Sequence, residues 1–413
     1  MKKPTVAVFT LGCKTNSYES GQIVTALRES GYAVTEGLVP ADIFVLNTCA
    51  VTAEAESKSR QAVARARKLN PDCKIVVTGC AAEKNAAQFA ALQNVTLVRG
   101  NAYKSALSGI IGQTETPTEP LEPGENFDYA FSSQSKTRAY IKIQDGCDKF
   151  CSYCIVPHLR GRSRSRRPES ILREINSSPA KEYVLIGIDI SQYGLDIGTD
   201  IAELLEELSD VKARIRLGSV YQEAVTEKLL RAMKKNVCRH FHLSLQSGSD
   251  NVLRAMNRHY DTAGYYETVR LIRRFYPECG ITTDIIVGFP VETDEDFAAT
   301  AAFVEKVGFS DIHVFPYSPR KGTSAYELGK LEPAVVKKRV EKLIEIKRAL
   351  KSAFTEKYLG TKAEVLVEEK KGGFYLGYTD NYLRVYIPQK VNIGEFVTVT
   401  LAEKYDEGAK GTL

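Results

Sequence analysis

Three cysteines lie close together near the middle of this 413-residue chain, in the order CxxxCxxC. They are Cys147, Cys151 and Cys154, and a strand-like stretch from Ala139 to Gln144 precedes them. Three thiolates at this spacing can hold three irons of a cubic iron–sulfur cluster, which leaves the fourth iron free for a substrate or cofactor. A structural zinc ion is the alternative. Zinc normally takes four ligands in paired spacing, and only His158 stands near enough in sequence to be the fourth.

Three further cysteines lie upstream, and each follows a short apolar run. The cysteines are Cys13, Cys49 and Cys80, and the runs are Val6 to Leu11, Ile43 to Leu46 and Ile75 to Val77. Each run reads as a buried strand that is followed by a polar turn and a helix. Because the carboxyl ends of parallel strands share one edge of a sheet, we expect the three thiols to converge into a second open cluster site. The alternative is that they are small buried hydrophobic residues, but Gly12 and Gly79 place two of them at turns.

The central motif has an aromatic residue before its last cysteine, in Ser152-Tyr153-Cys154, and it resembles the signature of the radical S-adenosylmethionine superfamily. The resemblance implies that the open iron binds S-adenosylmethionine and that a radical made from it abstracts hydrogen from an unactivated carbon. In such enzymes the cofactor carries the difficult chemistry and the protein positions it.

With the three upstream segments added, nearly the whole chain resembles the methylthiotransferase family, which inserts a sulfur and then a methyl group at a carbon–hydrogen bond. Thr10 to Lys14 reads Thr-Leu-Gly-Cys-Lys, which is typical of the branch that acts on carbon 2 of N6-threonylcarbamoyladenosine at position 37 of tRNA. The resemblance implies two [4Fe–4S] clusters and S-adenosylmethionine as cofactors. All six cysteines would then be both metal ligands and catalytic residues.

The expected fold class is α/β with three domains. Residues 1–125 are expected to form a small α/β domain that carries the auxiliary cluster and ends in a linker from Gly112 to Gly124, rich in Gly, Thr, Glu and Pro. Residues 136–354 contain six strand-like runs with helices between them, which predicts a partial (β/α)6 barrel of the radical S-adenosylmethionine type. Residues 355–413 change to short alternating strands, which predicts a small β-barrel that resembles the RNA-binding TRAM domain.

Further residues are candidates for contacts with the cofactor. Gly187 and Asp189 follow the second barrel strand, where the superfamily places a motif for the cofactor's amino group; a loop-capping Asp189 is the alternative. Ser244 and Gln246 end the fourth strand, and polar groups there could hydrogen-bond a ribose or a carboxylate. The remaining candidates are Tyr153, beside the central motif, and Asp284, an ionisable residue inside an apolar strand, where an unpaired carboxylate would be unfavourable.

The charge of the chain bears on its partners. A net charge of +5 is mild for a nucleic-acid-binding protein, so its distribution matters more. Five arginines follow the central motif and predict contacts with phosphate; they are Arg160, Arg162, Arg164, Arg166 and Arg167. Expected partners are a tRNA anticodon loop, an electron donor such as flavodoxin or ferredoxin, and a sulfur donor. Nine cysteines favour a reducing, cytoplasmic location, and no apolar run is long enough to span a membrane.

Two other functions stay open at this stage. One is a sister methylthiotransferase that acts on isopentenyladenosine at position 37 or on a ribosomal protein. The other is a non-catalytic iron–sulfur protein that binds RNA and uses its clusters only as structural supports. Neither a Walker-type loop nor a GxGxxG segment occurs in the sequence, so nucleotide hydrolysis and nicotinamide binding are not expected.

Overall fold

The computed structural model describes residues 3–111, 127–128, 130–132, 134 and 137–413. The expected linker from Gly112 to Gly124 lies outside these residues. The chain divides into two compact units. Unit 1 comprises Met1–Gln134, Tyr140–Ser178 and Ser318–Thr323, and unit 2 comprises Ser135–Ala139, Pro179–Tyr317 and Ser324–Leu413. Because this division follows spatial contacts, the three domain boundaries drawn from the sequence stay predictions.

Unit 1 begins with a parallel sheet of five strands in the order β2-β1-β3-β4-β5. The strands are β1 (Thr5–Thr10), β2 (Ala33–Glu36), β3 (Ile43–Thr48), β4 (Lys74–Gly79) and β5 (Val95–Arg99). The helices between and after them are α1 (Lys14–Glu29), α2 (Ala53–Leu69), α3 (Cys80–Lys84), α4 (Ala86–Ala90) and α5 (Leu107–Ile110), and a 3₁₀ turn covers Asn101–Ala106.

Both faces of this sheet are covered, which explains why its central strands are apolar along their whole length. Every residue of β3 is buried. Phe44 and Leu46 pack into one core with residues of α2, whereas Ile43 and Val45 pack into a second core with residues of α1. The sequence thus fixes β3 as a central strand and places the turn after it at the edge of the sheet.

The remainder of unit 1 frames the central cysteine motif. Its elements are β6 (Arg138–Lys142), which begins in unit 2, then β7 (Gln144–Asp145), α6 (Val156–Arg160), β8 (Arg164–Ser165) and α7 (Pro168–Ser177). The short strands β7 and β8 pair in antiparallel fashion. They therefore close the base of the loop that carries the motif.

Unit 2 contains a series of parallel strands with helices between them. The strands are β9 (Glu182–Ile186), β10 (Arg214–Leu217), β11 (Ser219–Val220), β12 (His240–Leu243), β13 (Gly280–Val287) and β14 (Asp311–Pro316). The helices are α8 (Ile201–Glu207), α9 (Glu227–Ala232), α10 (Asp250–Ala255), α11 (Thr262–Phe275) and α12 (Asp294–Val307). Strands β9 and β10 pair in parallel, and β11, β12, β13 and β14 form a parallel sheet in that order. The repeated strand–helix pattern of the sequence is confirmed.

The last part of unit 2 is a long helix followed by a closed five-stranded barrel. The helix is α13 (Pro333–Glu356), and the strands are β15 (Lys362–Lys371), β16 (Phe374–Tyr378), β17 (Arg384–Ile387), β18 (Phe396–Tyr405) and β19 (Gly408–Thr412). The barrel order is β15-β16-β17-β19-β18. This confirms the small C-terminal β-barrel expected from the sequence. None of the helices in the described residues is long and apolar enough to cross a membrane.

Candidate functional site

The three upstream cysteines lie at the carboxyl ends of three neighbouring strands. Cys13 follows β1 and precedes α1, Cys49 follows β3, and Cys80 is the first residue of α3 directly after β4. Because β1, β3 and β4 are adjacent and parallel, their three turns meet at the same edge of the sheet. Cys49 and Cys80 are buried and Cys13 is exposed. The thiols are close enough for Cys13 and Cys80 to act electrostatically on Cys49.

Two glycines make the close approach of these turns possible. Gly12 has φ +101°, and a Cβ atom there would stand 2.6 Å from Cβ and 2.7 Å from Sγ of Cys49. Gly79 has φ +93°, and a Cβ atom there would stand 2.5 Å from the carbonyl oxygen of Thr48. A residue with a side chain would therefore meet both backbone strain and a clash at either position.

The central cysteines lie on a tight loop between β7 and α6. Cys147 and Cys151 are buried and Cys154 is half-buried. The amide of Cys154 donates to the carbonyl of Cys151 at 2.9 Å, and the amide of Cys147 donates to the carbonyl of Gly161 at 3.1 Å. These two bonds hold the loop in a compact form that keeps its three cysteines close together in the chain. The paired strands β7 and β8 join the two ends of the loop.

The spacing of both trios fits a cluster better than a single metal ion. Among the described residues, the group of three possible metal ligands with ligand atoms within 4.8 Å of one another is His242, Asp284 and His313. The thiols of neither cysteine trio lie that close together. Zn–S bonds of about 2.3 Å would place the sulfur atoms about 3.8 Å apart. A cubic cluster binds each thiolate to a different iron and needs a wider set. The two trios are therefore compatible with [4Fe–4S] clusters, and the assignment of these six cysteines as ligands stays a prediction.

The arginine run divides into buried and accessible members. Side chains of Arg160 and Arg166 are each 1% exposed and form ion pairs with internal carboxylates. Both guanidiniums are thus engaged inside unit 1, which corrects the expectation that these two contact RNA. Arg162 and Arg167 are exposed, and Arg164 is 30% exposed. Only these three can present a charge to a phosphate.

The candidate cofactor-binding residues occupy two places. Tyr153 is half-buried in the central loop of unit 1. In unit 2, Gly187 follows β9, and the carboxylate of Asp189 accepts from the amide of Ser191 at 3.1 Å, so Asp189 does cap the turn after that strand. Turn capping through one oxygen and cofactor binding are compatible roles, and the second role stays a prediction.

Of the other three candidates of unit 2, Ser244 and Gln246 follow β12, and Asp284 lies in the middle of the adjacent strand β13. Gln246 has φ +73°, a conformation that is uncommon for residues with a side chain. Its amide donates to the carbonyl of Asp284 at 2.9 Å, and its carbonyl accepts from the amide of Ile286 at 2.9 Å. The carbonyl of Ser244 accepts from Arg258 at 2.7 Å. The turn after β12 is therefore bound to the middle of β13.

Two histidines at this place were not expected from the sequence. His242 Nε2 lies 3.2 Å from one carboxylate oxygen of Asp284, and His313 Nδ1 lies 3.1 Å from the other. Burial alone would raise the pKa of Asp284, but hydrogen bonds from His242 and His313 hold it well below its ordinary value. The two histidines are far apart in sequence. His242 lies on β12, Asp284 on β13 and His313 on β14, and these three strands are neighbours in the sheet. The position of each residue within its strand was the only available signal in the sequence.

Family models match three parts of the chain. The radical SAM superfamily matches residues 141–304, and the TRAM domain matches residues 356–413. Residues 5–100 match a family described as uncharacterized protein family UPF0004. The three matches cover the central cysteine motif, the small barrel and the sheet that carries the upstream cysteines.

Characterised relatives match along the full length. The threonylcarbamoyladenosine tRNA methylthiotransferase MtaB of Bacillus subtilis is 35% identical over 98% of this chain and 96% of its own. The MtaB of Chlamydia pneumoniae is 38% identical over 100% of this chain and 98% of its own. The chain belongs to the radical SAM methylthiotransferase family. A tRNA-2-methylthio-N(6)-dimethylallyladenosine synthase of Thermoanaerobacter is also similar, at 36% identity over 87% of this chain and 81% of its own.

Solved structures support the fold of this methylthiotransferase. The cobalamin- and [4Fe-4S]-bound radical S-adenosylmethionine methyltransferase TsrM from Kitasatospora setae has a TM-score of 0.55 at 16% identity, over 76% of this chain and 73% of its own. At this identity the likeness concerns the fold alone. It supports the α/β class, and the family model over residues 141–304 identifies the central domain as a radical SAM domain. The family membership makes the protein an enzyme whose cofactors are S-adenosylmethionine and [4Fe–4S] clusters.

Proposed function

We propose that this methylthiotransferase adds a methylthio group to carbon 2 of N6-threonylcarbamoyladenosine at position 37 of tRNA. The observation that carries the proposal is the presence of two separate open cysteine trios in a chain that matches MtaB relatives from end to end. The hydrogen on an aromatic ring carbon is not acidic enough for a side-chain base, so its replacement by sulfur requires radical chemistry.

Cys147, Cys151 and Cys154 are proposed to hold the cluster that engages S-adenosylmethionine. When bound, the cluster and S-adenosylmethionine supply the radical chemistry that breaks an unactivated carbon–hydrogen bond. The chain's own contribution is orientation. Asp189 would accept from the cofactor's ammonium group, and the other candidate contacts would bind its remaining polar groups; they are Tyr153, Gly187, Ser244, Gln246 and Asp284.

Cys13, Cys49 and Cys80 are proposed to hold the auxiliary cluster. Three protein thiolates leave one corner of a cubic cluster without a protein ligand. That corner is where a sulfur donor would deliver its sulfur, so a donor protein or a sulfide source is a proposed partner. An electron donor of the flavodoxin or ferredoxin class is the second.

The tRNA is proposed to bind through its anticodon loop. Single-stranded loops are recognised by splayed, stacked bases and by basic contacts to phosphate. The exposed Arg162 and Arg167 follow the central motif in sequence and offer such contacts, and the TRAM-like barrel offers a second surface. A tRNA substrate would place the reaction in the cytoplasm.

The test is a nucleoside comparison by mass spectrometry. Bulk tRNA from a strain without the gene should contain threonylcarbamoyladenosine and lack its 2-methylthio derivative. The intact gene should restore the derivative, whereas genes with Cys13→Ala or Cys147→Ala should not. Cys73→Ala is the matched control, because Cys73 is also buried but directly precedes the amino end of β4. An unchanged nucleoside profile in the deletion strain would overturn the proposal, and loss of the methylthio group from dimethylallyladenosine would reassign the substrate.

A further inference from the structure

Five charged side chains are buried together in unit 1, and we call them the buried charge network. They are Glu19, Lys104, Lys142, Asp145 and Arg160. Their side chains are between 1% and 10% exposed. Arg160 lies at the centre, since its Nη1 donates to Glu19 at 2.8 Å and to Asp145 at 2.9 Å. Lys142 bonds to the same two carboxylates, at 2.7 Å and 2.8 Å, and Lys104 pairs with Glu19.

With all five groups ionised, the network contains three cations and two carboxylates, so it has one positive charge in excess. Burial lowers the pKa of Lys104, and the charge of Glu19 opposes that lowering. Arg160 is held in its charged form by Asp145 and Glu19, which raise its pKa although burial alone would lower it. Arg164 also approaches Asp145, at 3.6 Å, but it is 30% exposed and its charge is screened by water. A buried excess charge is strongly unfavourable unless an opposite charge lies nearby.

Arg160 is connected to the turns that carry the upstream cysteines. Its Nη2 donates to Oδ1 of Asn16 at 2.8 Å. The amide group of Asn16 in turn donates to the carbonyls of Leu11 at 2.8 Å and Thr48 at 2.9 Å. These two carbonyls lie just before Cys13 and Cys49. The guanidinium therefore positions two of the three cysteine turns through one amide side chain.

The third upstream cysteine, Cys80, is connected to the helix that carries Arg160 through the side chain of Asn101. Its Nδ2 lies 3.7 Å from Sγ of Cys80 and donates to the carbonyl of Leu159 at 3.1 Å. Leu159 directly precedes Arg160 on α6, so the turn that carries Cys80 is linked to the same helix as the guanidinium. The charges of Arg160 and Lys104 also act electrostatically on Cys80, and the charge of Arg160 acts on Cys49.

We propose that the buried charge network, centred on Arg160, supplies the counter-charge of the auxiliary cluster and thereby sets its reduction potential. The inference rests on the proposed function of Cys13, Cys49 and Cys80. An oxidised [4Fe–4S] core with three thiolates carries one net negative charge, which matches the single excess positive charge of the network. Net charge near a cluster is one of the factors that fix its potential. Arg160 is thus a positioning residue whose charge acts on the cluster.

The test uses the full chain with Cys147, Cys151 and Cys154 changed to Ala, so that only the auxiliary cluster can assemble. Its potential is measured by anaerobic redox titration with detection of the reduced cluster by electron paramagnetic resonance. Arg160→Gln should shift the potential to a more negative value, because the reduced cluster loses a neighbouring cation. Glu19→Gln should shift it to a more positive value. Lys104→Gln removes the same charge as Arg160→Gln without touching Asn16 and should shift it in the same negative direction.

Two further variants separate charge from structure. Arg160→Gln combined with Glu19→Gln keeps the excess at one positive charge and should return the potential close to that of the parent chain. Arg173→Gln removes an exposed arginine of unit 1 and should leave the potential unchanged. The inference would be overturned if all variants had the same reduction potential. It would also be overturned if the potential of the double variant were shifted as far as that of Arg160→Gln alone. A parent chain that binds no iron would instead overturn the proposed auxiliary cluster itself.

Discussion

Gly12 lies against Cys49 so closely that a methyl group on Gly12 would stand 2.6 Å from Cβ and 2.7 Å from Sγ of that cysteine. The turn after β1 and the turn after β3 therefore meet with no space for a side chain at Gly12. This contact sets how near Cys13 can come to Cys49. We therefore expect assembly of the auxiliary site to depend on Gly12, which is not itself a candidate ligand.

Replacing Gly12 by alanine should abolish the auxiliary cluster. The clash with Cys49 would separate the two turns, and φ +101° adds backbone strain. We expect about four irons per chain after anaerobic reconstitution in place of about eight. Gly37→Ala is the control, because Gly37 has φ +108° but nothing within 4 Å of the added Cβ. If both variants keep the full iron content, the contact is not needed for assembly.

Cys147→Ala together with Cys151→Ala should also leave about half of the iron, about four atoms per chain, from the other cluster. One thiol cannot hold a cubic cluster, so the central site should be empty. Iron and zinc are measured together by inductively coupled plasma mass spectrometry. Stoichiometric zinc in the unaltered protein would contradict the assignment of both trios.

Arg166→Met should destabilise unit 1 strongly. Arg166 is buried and bonds to Asp128 at 2.9 Å, to Glu174 and to the hydroxyl of Tyr18 at 3.2 Å. Loss of the guanidinium leaves the buried carboxylate of Glu174 without a cation, which typically destabilises by about 3–5 kcal/mol. Denaturant unfolding of the metal-free chain measures the change. Arg173 lies on α7, the helix that follows Arg166, and its side chain is 69% exposed, so Arg173→Met should change the stability by less than about 0.5 kcal/mol. Similar losses in both variants would argue against the buried pair.

Arg162→Ala with Arg167→Ala should weaken tRNA binding. If each arginine contacts one phosphate, the negative slope of log affinity against log salt should become shallower by about 1.4–1.8. Filter binding with unmodified tRNA over a range of salt concentrations measures both quantities. Arg231→Ala with Arg270→Ala removes two exposed arginines from unit 2 and serves as the charge-matched control. Equal slopes in the two double variants would mean that the arginine run has no specific contact.

Asp284→Asn should reduce stability at neutral pH and have little effect in acid. The pKa of Asp284 is lower in the folded chain than the ordinary value of about 3.9. The stabilisation from the His242 and His313 bonds is therefore present above about pH 4 and is lost as the pH falls through the folded pKa. We expect a loss of about 1–3 kcal/mol at pH 7 in the metal-free chain. Asp210→Asn, in an exposed turn, is the control; a difference that persists unchanged at low pH would contradict the carboxylate's role.

Much of the cysteine geometry could be predicted from the sequence because it is local. An apolar run followed by Gly12 and Cys13, or by Gly79 and Cys80, specifies a strand, a sharp turn and a thiol at the edge of a sheet. Neighbouring parallel strands then bring such turns together without further information. The C-terminal barrel was predictable for a similar reason, since alternation and turns are properties of short segments.

The roles of the arginines could not be predicted in this way. Arg160 and Arg162 are near neighbours in the same basic run, yet the first is buried and the second is 74% exposed. The partner of Arg160, Glu19, stands 141 positions away along the chain. Likewise, Asp284 meets His313 only because β13 and β14 pair in one register.

The sequence by itself determined which thiols are candidate cluster ligands, since each cysteine and the strand and turn before it are local features. Only the tertiary structure decided which charges surround those atoms. Burial and ion pairing depend on contacts between segments that are distant in sequence. A guanidinium on the surface is therefore available to a phosphate, whereas one in the interior pairs with carboxylates.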